Sequence, residues 1–183
     1  ITGGTTGIGA ATRKLLLSQG HEVFNIDFKG GDHLADLSSP EGRQSAVDEV
    51  FRRYPDGIDV LICNAGVGPT APPQTIFALN FFASVRIAEA LRPLLKKKPG
   101  NCVITSSNSI TNMTVRMDWV DMLSNVMDEE RILEFVKDIP RTQAAATVHP
   151  STPWPAGCAV YPPHGPWTDC ASTPLPPATP PPP

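Results

Sequence analysis

The sequence has 183 residues, 40% of them apolar and 18% charged, with a formal net charge of −3. That length suits one ordinary domain. So slight a charge gives no electrostatic case for nucleic acid or a membrane surface, and no run of 18 apolar residues offers a transmembrane helix.

The pattern alternates strand and helix signals along the first 141 residues. Ile1 to Gly3 reads as the end of a strand. Gly7 to Ser18 reads as a helix, with Ile8, Ala11, Leu15 and Leu16 at helical spacing and Gly20 placed to end it. Val23 to Asp27 is a second strand. Ser39-Pro40 opens a second helix, the serine as cap and the proline at the first position. Ile58 to Cys63 is a continuous apolar strand of the kind buried on both faces. A long helix is expected over Gln74 to Leu95 and a strand over Cys102 to Ser106. Asp118 to Lys137 is expected to form one or two amphipathic helices. Such alternation predicts an α/β fold, a doubly wound parallel sheet covered on both faces. Cys63 and Cys102 fall in the apolar strands and read as buried free thiols of a reducing, cytoplasmic compartment.

Residues 142–183 differ in kind. They hold 13 of the 21 prolines and a single charge, Asp169, and no apolar period survives. Proline removes backbone donors and fixes φ, so this segment is expected to be a disordered tail without helix or sheet. Its Pro-x-x-Pro spacings resemble ligands of proline-reading domains, while His149, His164, Cys158 and Cys170 fit no zinc spacing. The chain opens without Met, inside a motif and without a basic-then-apolar leader, so a fragment with no signal peptide is expected.

The candidate site lies at the start. Thr2-Gly3-Gly4-Thr5-Thr6-Gly7-Ile8-Gly9 follows a strand and begins a helix. Glycines there permit a tight turn and let backbone approach a pyrophosphate, and the helix N-terminus offers unpaired amides. Gly3, Thr6, Gly7, Ile8 and Gly9 are therefore the candidate phosphate loop of a dinucleotide site. Asp27, at the end of the second strand, can accept the adenosine-ribose hydroxyls and would repel a 2′-phosphate, which favours NAD(H) over NADP(H). Lys29 weakens that preference slightly. Asp36 and Leu37 either hold the adenine edge or are ordinary loop residues.

These residues resemble the short-chain dehydrogenase/reductase family. Thr2-Gly3-x-x-x-Gly7-x-Gly9 fits its cofactor motif, Asn64-Ala65-Gly66 its N-A-G motif, and Asn80 the asparagine of the following helix. Val103 to Ser107 fits the strand ending at the catalytic serine, Ser107, with Ser106 as the alternative. Thr6 to Leu15 and Ala35 to Ser38 look most like the 3-alpha-hydroxysteroid dehydrogenase/carbonyl reductase branch. The resemblance covers residues 1 to about 141. It implies a Rossmann fold, hydride transfer between NAD(H) and a small carbonyl or alcohol, and a homodimer in the intact protein. It makes Ser107 the group that positions the substrate oxygen and Asn80 a holder of a relay water. Asn64 would be structural, bonding the backbone of a neighbouring strand, with Ala65 and Gly66 beside the cofactor.

One element of that pattern is missing. The family's Tyr-x-x-x-Lys pair handles the proton, yet Tyr54 and Tyr161 are the only tyrosines and no lysine follows Lys137. Reading the degenerate codons of Ala145 to Val160 one base out of phase permits Tyr-Gly-Ala-Ser-Lys, followed by a family-like helix. We therefore expect a frameshift between about Ile139 and Ala146, an out-of-frame tail, an inactive product and a C-terminally incomplete fold with an uncovered strand edge. The alternative is a non-catalytic dinucleotide-binding module carrying a proline-rich interaction tail. The apolar residues between Asn112 and Arg141, such as Trp119, Met122, Ile132 and Val136, form either a substrate wall, a subunit contact or packing on the same domain.

Overall fold

The computed structural model describes residues 1–105, 128–142, 144, 159–161 and 168–169. The chain begins in extended backbone, where Thr2 makes parallel bridges to both Ile26 and Cys63. Helix α1 (Gly7–Ser18) follows. It ends as its glycine requires. Gly20 adopts φ +83°, its N–H reaches Leu17 O at 3.1 Å and the His21 N–H reaches Leu16 O at 3.1 Å, a Schellman closure. Strands β1 (Ile26–Asp27) and β2 (His33–Leu34) then pair in parallel through a short turn. Ser39 caps helix α2 (Pro40–Arg53), accepting from the Gly42 N–H at 3.0 Å.

Strand β3 (Val60–Cys63) leads to a continuous helical run made of α3 (Pro73–Ile76), a π-helical segment (Phe77–Ala83) and α4 (Ser84–Lys97). The run expected over Gln74 to Leu95 is thus present, but its middle is π rather than α. Strand β4 (Asn101–Ile104) pairs with β3 in parallel, Leu61 opposite Cys102. Helix α5 (Glu129–Val136) lies within the expected 118–137 region, whose earlier part falls outside the described residues. With Thr2 as the link, the order across the sheet is β2, β1, Thr2, β3, β4. This is the doubly wound, Rossmann-type arrangement expected from the sequence. Among the described residues no helix is long and apolar enough to cross a membrane.

The connections fix the layers. The chain leaves Thr2 through α1 toward β1 and returns from β2 through α2 to β3. Right-handed crossovers in opposite directions put α1 and α2 on opposite faces. Leu61, Cys63, Cys102 and Ile104 pack against Ala46, Val47 and Val50 of α2 and Ile87, Leu91 and Leu94 of α4. A second cluster joins Ile76, Phe77, Phe81 and Phe82 to Ile132 and Val136 of α5. The buried residues of α5 therefore pack on their own domain. Trp119, Met122 and the other apolar residues before position 128 lie outside the described residues.

The opposite face corrects two expectations. Val60 is 51% exposed, and Leu15 and Ile8 of α1 are 57% and 70% exposed. The run 58–63 is therefore buried on one face only, and the apolar stripe of α1 is not closed. The physical reason is topological: α1 is the only described helix on that side. A cleft of about 640 Å³ opens there, with Leu16, Val60 and Ile62 among its walls.

Two short strands are described after residue 141. Strand β5 (Ala159–Tyr161) pairs antiparallel with β4, and β6 (Thr168–Asp169) pairs with β5. So sheet does form within the proline-rich segment, and the edge of β4 is not left open. The reason is local: Ala159-Val160-Tyr161 is a proline-free triplet with every ladder donor intact. The second strand is also shorter than expected. Only Ile26–Asp27 is strand, because its partner Ile1–Gly3 is three residues long, although the Ile26 N–H still bonds Ile1 O at 3.0 Å.

Candidate functional site

A crevice of about 1070 Å³ opens where the connections diverge, between β1 and β3. Three turns build its floor. Gly3 has φ +69°, and a Cβ there would lie 2.7 Å from Ala65 Cα. Gly9 is packed still tighter, since a Cβ would sit 2.0 Å from the Gly3 carbonyl oxygen. These two glycines let the phosphate loop, the first helix turn and the Asn64-Ala65-Gly66 turn pack backbone to backbone.

The polar groups beneath are satisfied. The Thr2 hydroxyl accepts from the Asn64 and Ala65 N–H groups at 3.0 and 3.1 Å. The Asn64 amide donates to Gly3 O at 3.1 Å and its oxygen accepts from the Thr105 hydroxyl at 3.1 Å. Asn25, fully buried, accepts from the Gly4 N–H at 2.8 Å and donates to the Thr5 hydroxyl at 3.1 Å.

The walls hold most of the candidate residues. Gly3, Thr6, Gly7, Ile8, Asp27, Asp36, Leu37, Asn64, Ala65, Gly66 and Asn80 all line the crevice. Gly9 does not line it and acts from below. Ser107 and Ser106 lie outside the described residues, and Thr105, the last described residue of that strand, is in the wall. Sequence reading missed Phe28, Val67, Thr75, Leu79, Ser84 and Thr105. It also missed Asn25, although a lone amide in the apolar run Val23 to Ile26 signals a buried polar task.

Two carboxylates shape the electrostatics. Asp27 accepts from the Thr5 N–H at 3.0 Å and the Phe28 N–H at 2.7 Å. Burial pulls its pKa up, but the donors from Thr5, Lys29 and Phe28 outweigh this and hold it below the ordinary aspartate range. Asp36 is spent locally, because its Oδ1 accepts both the N–H and the hydroxyl of Ser38, at 3.0 and 2.6 Å. Asn80 clamps the backbone of Val67 twice, accepting from its N–H at 2.9 Å and donating to its carbonyl at 3.0 Å. That leaves its amide one N–H and one lone pair for anything else.

The residues present fit a dinucleotide. No side chain caps α1, so its first-turn amides are not taken by a cap. A Cβ on Gly7 would meet nothing within 4 Å, so the backbone there faces open space. Asp27 stands at the rim as an ionised acceptor. Among the described residues no cluster of His, Cys, Asp and Glu could hold a metal ion.

Comparison with known proteins agrees with this geometry. The profile of the short chain dehydrogenase family matches residues 1–117. The chain is 40% identical over 109 residues to the 3-alpha-hydroxysteroid dehydrogenase/carbonyl reductase of Comamonas testosteroni, a match covering 58% of this chain and 42% of that protein. It is 33% identical over 114 residues to the coniferyl-alcohol dehydrogenase of a Pseudomonas species, covering 59% of this chain and again 42% of the relative. The solved 3-alpha-hydroxysteroid dehydrogenase from Pseudomonas sp. B-0831, complexed with NADH, superposes with a TM-score of 0.73 at 32% identity, covering 84% of this chain and 60% of that one. The chain thus spans less than two thirds of the length of these relatives.

Proposed function

The chain belongs to the short chain dehydrogenase family, and from that premise we propose that its complete form transfers a hydride between NAD(H) and a ketone or secondary alcohol, hydroxysteroid-like or another carbonyl. We further propose that the chain as written binds the dinucleotide without turning it over. The observation that carries this reading is the crevice at the uncapped start of α1, with the ionised Asp27 on its rim.

When bound, the dinucleotide supplies the hydride donor or acceptor. The amides of Gly7 and Ile8 hold its pyrophosphate through their partial positive charge. Asp27 accepts from the adenosine-ribose hydroxyls and disfavours a 2′-phosphate, which supports NAD(H) over NADP(H). Asn64 and Asn80 keep the strand ends and the 64–67 turn in place for the nicotinamide half. Ser107 positions the substrate oxygen in this reading.

Nothing described in the crevice handles the proton. Tyr54 lines the cleft with Val60 and Ile62 instead, and its hydroxyl donates to Glu22 at 2.7 Å. Burial, then the Glu22 carboxylate, raises its pKa, the wrong direction for a base. The break in composition after residue 141 and the Tyr-x-x-x-Lys permitted in the neighbouring reading phase support an out-of-frame segment 142–183. The same missing pair favours a second reading, a non-catalytic dinucleotide-binding module with a proline-rich tail.

One measurement tests both readings and a second separates them. Nicotinamide fluorescence during titration of NADH into this chain should show saturable binding, and its absence overturns both readings. The gene with the frame restored between codons 139 and 146 should reduce ketones or oxidise hydroxysteroids. Binding without turnover there would favour the module. Sequencing the DNA at those codons tests the frame directly, since third bases that exclude Tyr and Lys end that part of the proposal.

A further inference from the structure

We propose that Arg43 and Glu129 are a positioning pair that couples helix α5 to the adenine end of the crevice. The proposal rests on the reading of the crevice as a dinucleotide site.

Arg43 lies on the inward face of α2, on the same side as Ala46, Val47 and Val50, and only 5% of it is exposed. A guanidinium so placed is costly unless its donors are met. They are met in two directions. Nη1 donates to the carbonyls of Leu37 and Ser38 at 3.2 and 3.4 Å, and both residues line the crevice. Nη2 donates to both carboxylate oxygens of Glu129, at 2.6 and 2.7 Å, across 86 residues of sequence.

Glu129 is the first residue of α5, capped by Asp128, which accepts from the Arg131 N–H at 3.1 Å. The rest of α5 is held from the other side. Ile132 and Val136 bury against Ile76 at the end of α3 and against Phe77, Phe81 and Phe82 of the π segment, which carries Asn80. Arg141, just beyond α5, donates to Thr70 O at 3.3 Å. The segment 128–142 is therefore a strap. One end reaches the wall expected to meet adenine, through Arg43, and its middle rests on the helix that holds the 64–67 turn.

A carboxylate on the strap fixes the guanidinium, and the guanidinium fixes two wall carbonyls. Dinucleotide affinity should then depend on Glu129, which does not line the crevice. Coupling is reciprocal, so a ligand of the adenine half must tighten the strap by the same factor.

The test uses the full chain, with ADP-ribose and NADH as probes. Hydrogen exchange of the α5 amides in the unaltered chain should slow when ADP-ribose saturates it. Glu129→Gln should weaken ADP-ribose and NADH equally, by about tenfold. The double exchange Arg43→Glu with Glu129→Arg restores an ion pair but puts a non-donor beside the Leu37 and Ser38 carbonyls. It should recover thermal stability relative to either single change without recovering affinity. Unchanged α5 exchange on ligand binding overturns the inference, and needs no variant to fold. So does Glu129→Gln with unaltered affinity, or a double exchange that restores both stability and affinity, which would make the pair a mere tether. If the unaltered chain binds neither probe, the dinucleotide reading falls first and takes this inference with it.

Discussion

At the scale of single residues, the site depends on atoms that are absent. A methyl group on Gly9 would overlap the Gly3 carbonyl oxygen, and both partners are backbone in the tightest part of the floor. Gly9→Ala should therefore cost at least about 1–3 kcal/mol, the range for overpacking a closed core, and abolish NADH binding, as read by chemical denaturation and by titration. Asp27 gives a prediction of the opposite kind, small in stability and large in selectivity. Asp27→Ala should loosen discrimination against NADP(H), and unchanged selectivity would remove the ribose assignment. The pH dependence has a definite sign. The donors around Asp27 depress its pKa below the unfolded value of about 3.9, so its contribution is complete above that pH and is lost only as pH falls lower, through the depressed folded-state value. NADH affinity should thus show no Asp27 titration between pH 5 and 7. Cys63 and Cys102 behave as the buried thiols their positions suggested. A hydrogen bond with Cys63 and then burial push the Cys102 thiol far up, and both residues are at most 2% exposed.

At the scale of elements, the legible parts were those with punctuation. Helix α1 runs from Gly7 to Ser18 as expected because glycines bracket it, and α2 starts where Ser39 and Pro40 say it should. The π segment was illegible, because a shift of one hydrogen-bond partner leaves the apolar pattern of Phe77 to Ala83 unchanged. Strand β5 was hidden for a different reason: three ladder-competent residues are drowned by neighbouring prolines. Arg43 was overlooked because a cation in a helical pattern reads as solvent-facing, and only its partner 86 residues away makes it buried. The clamp of Asn80 on Val67 suggests a test of the π segment itself. Asn80→Ala removes one donor and one acceptor from a half-buried backbone pair and should cost roughly 1–3 kcal/mol. Asn80→Asp keeps the acceptor but loses the donor, so denaturation midpoints should rank the unaltered chain first, then Asp, then Ala.

At the scale of the whole molecule, the described residues close the sheet on one side only. Leu61, Cys63, Cys102 and Ile104 are sealed beneath α2 and α4, whereas Val60 and the apolar residues of α1 face outward. An apolar run such as 58–63 declares that a strand can be buried, but whether a second helical layer exists is decided elsewhere in the chain. Exposed apolar surface of this kind favours association. Light scattering of the chain as written should show concentration-dependent growth, and the frame-restored protein should suppress it. A monodisperse monomer at high concentration would contradict that expectation.

The interlocked glycine floor has a thermodynamic corollary. Residues 1–9, 25–27 and 63–65 meet only when the central strands are already side by side, so the pocket cannot loosen without parting the sheet. Ligand free energy should accordingly appear as resistance of the entire molecule to melting, the strap included. By mass action, NADH at a hundredfold excess over its dissociation constant should add about 2.7 kcal/mol to the unfolding free energy. Calorimetric scans with and without nucleotide would reveal a single transition moving upward as one unit.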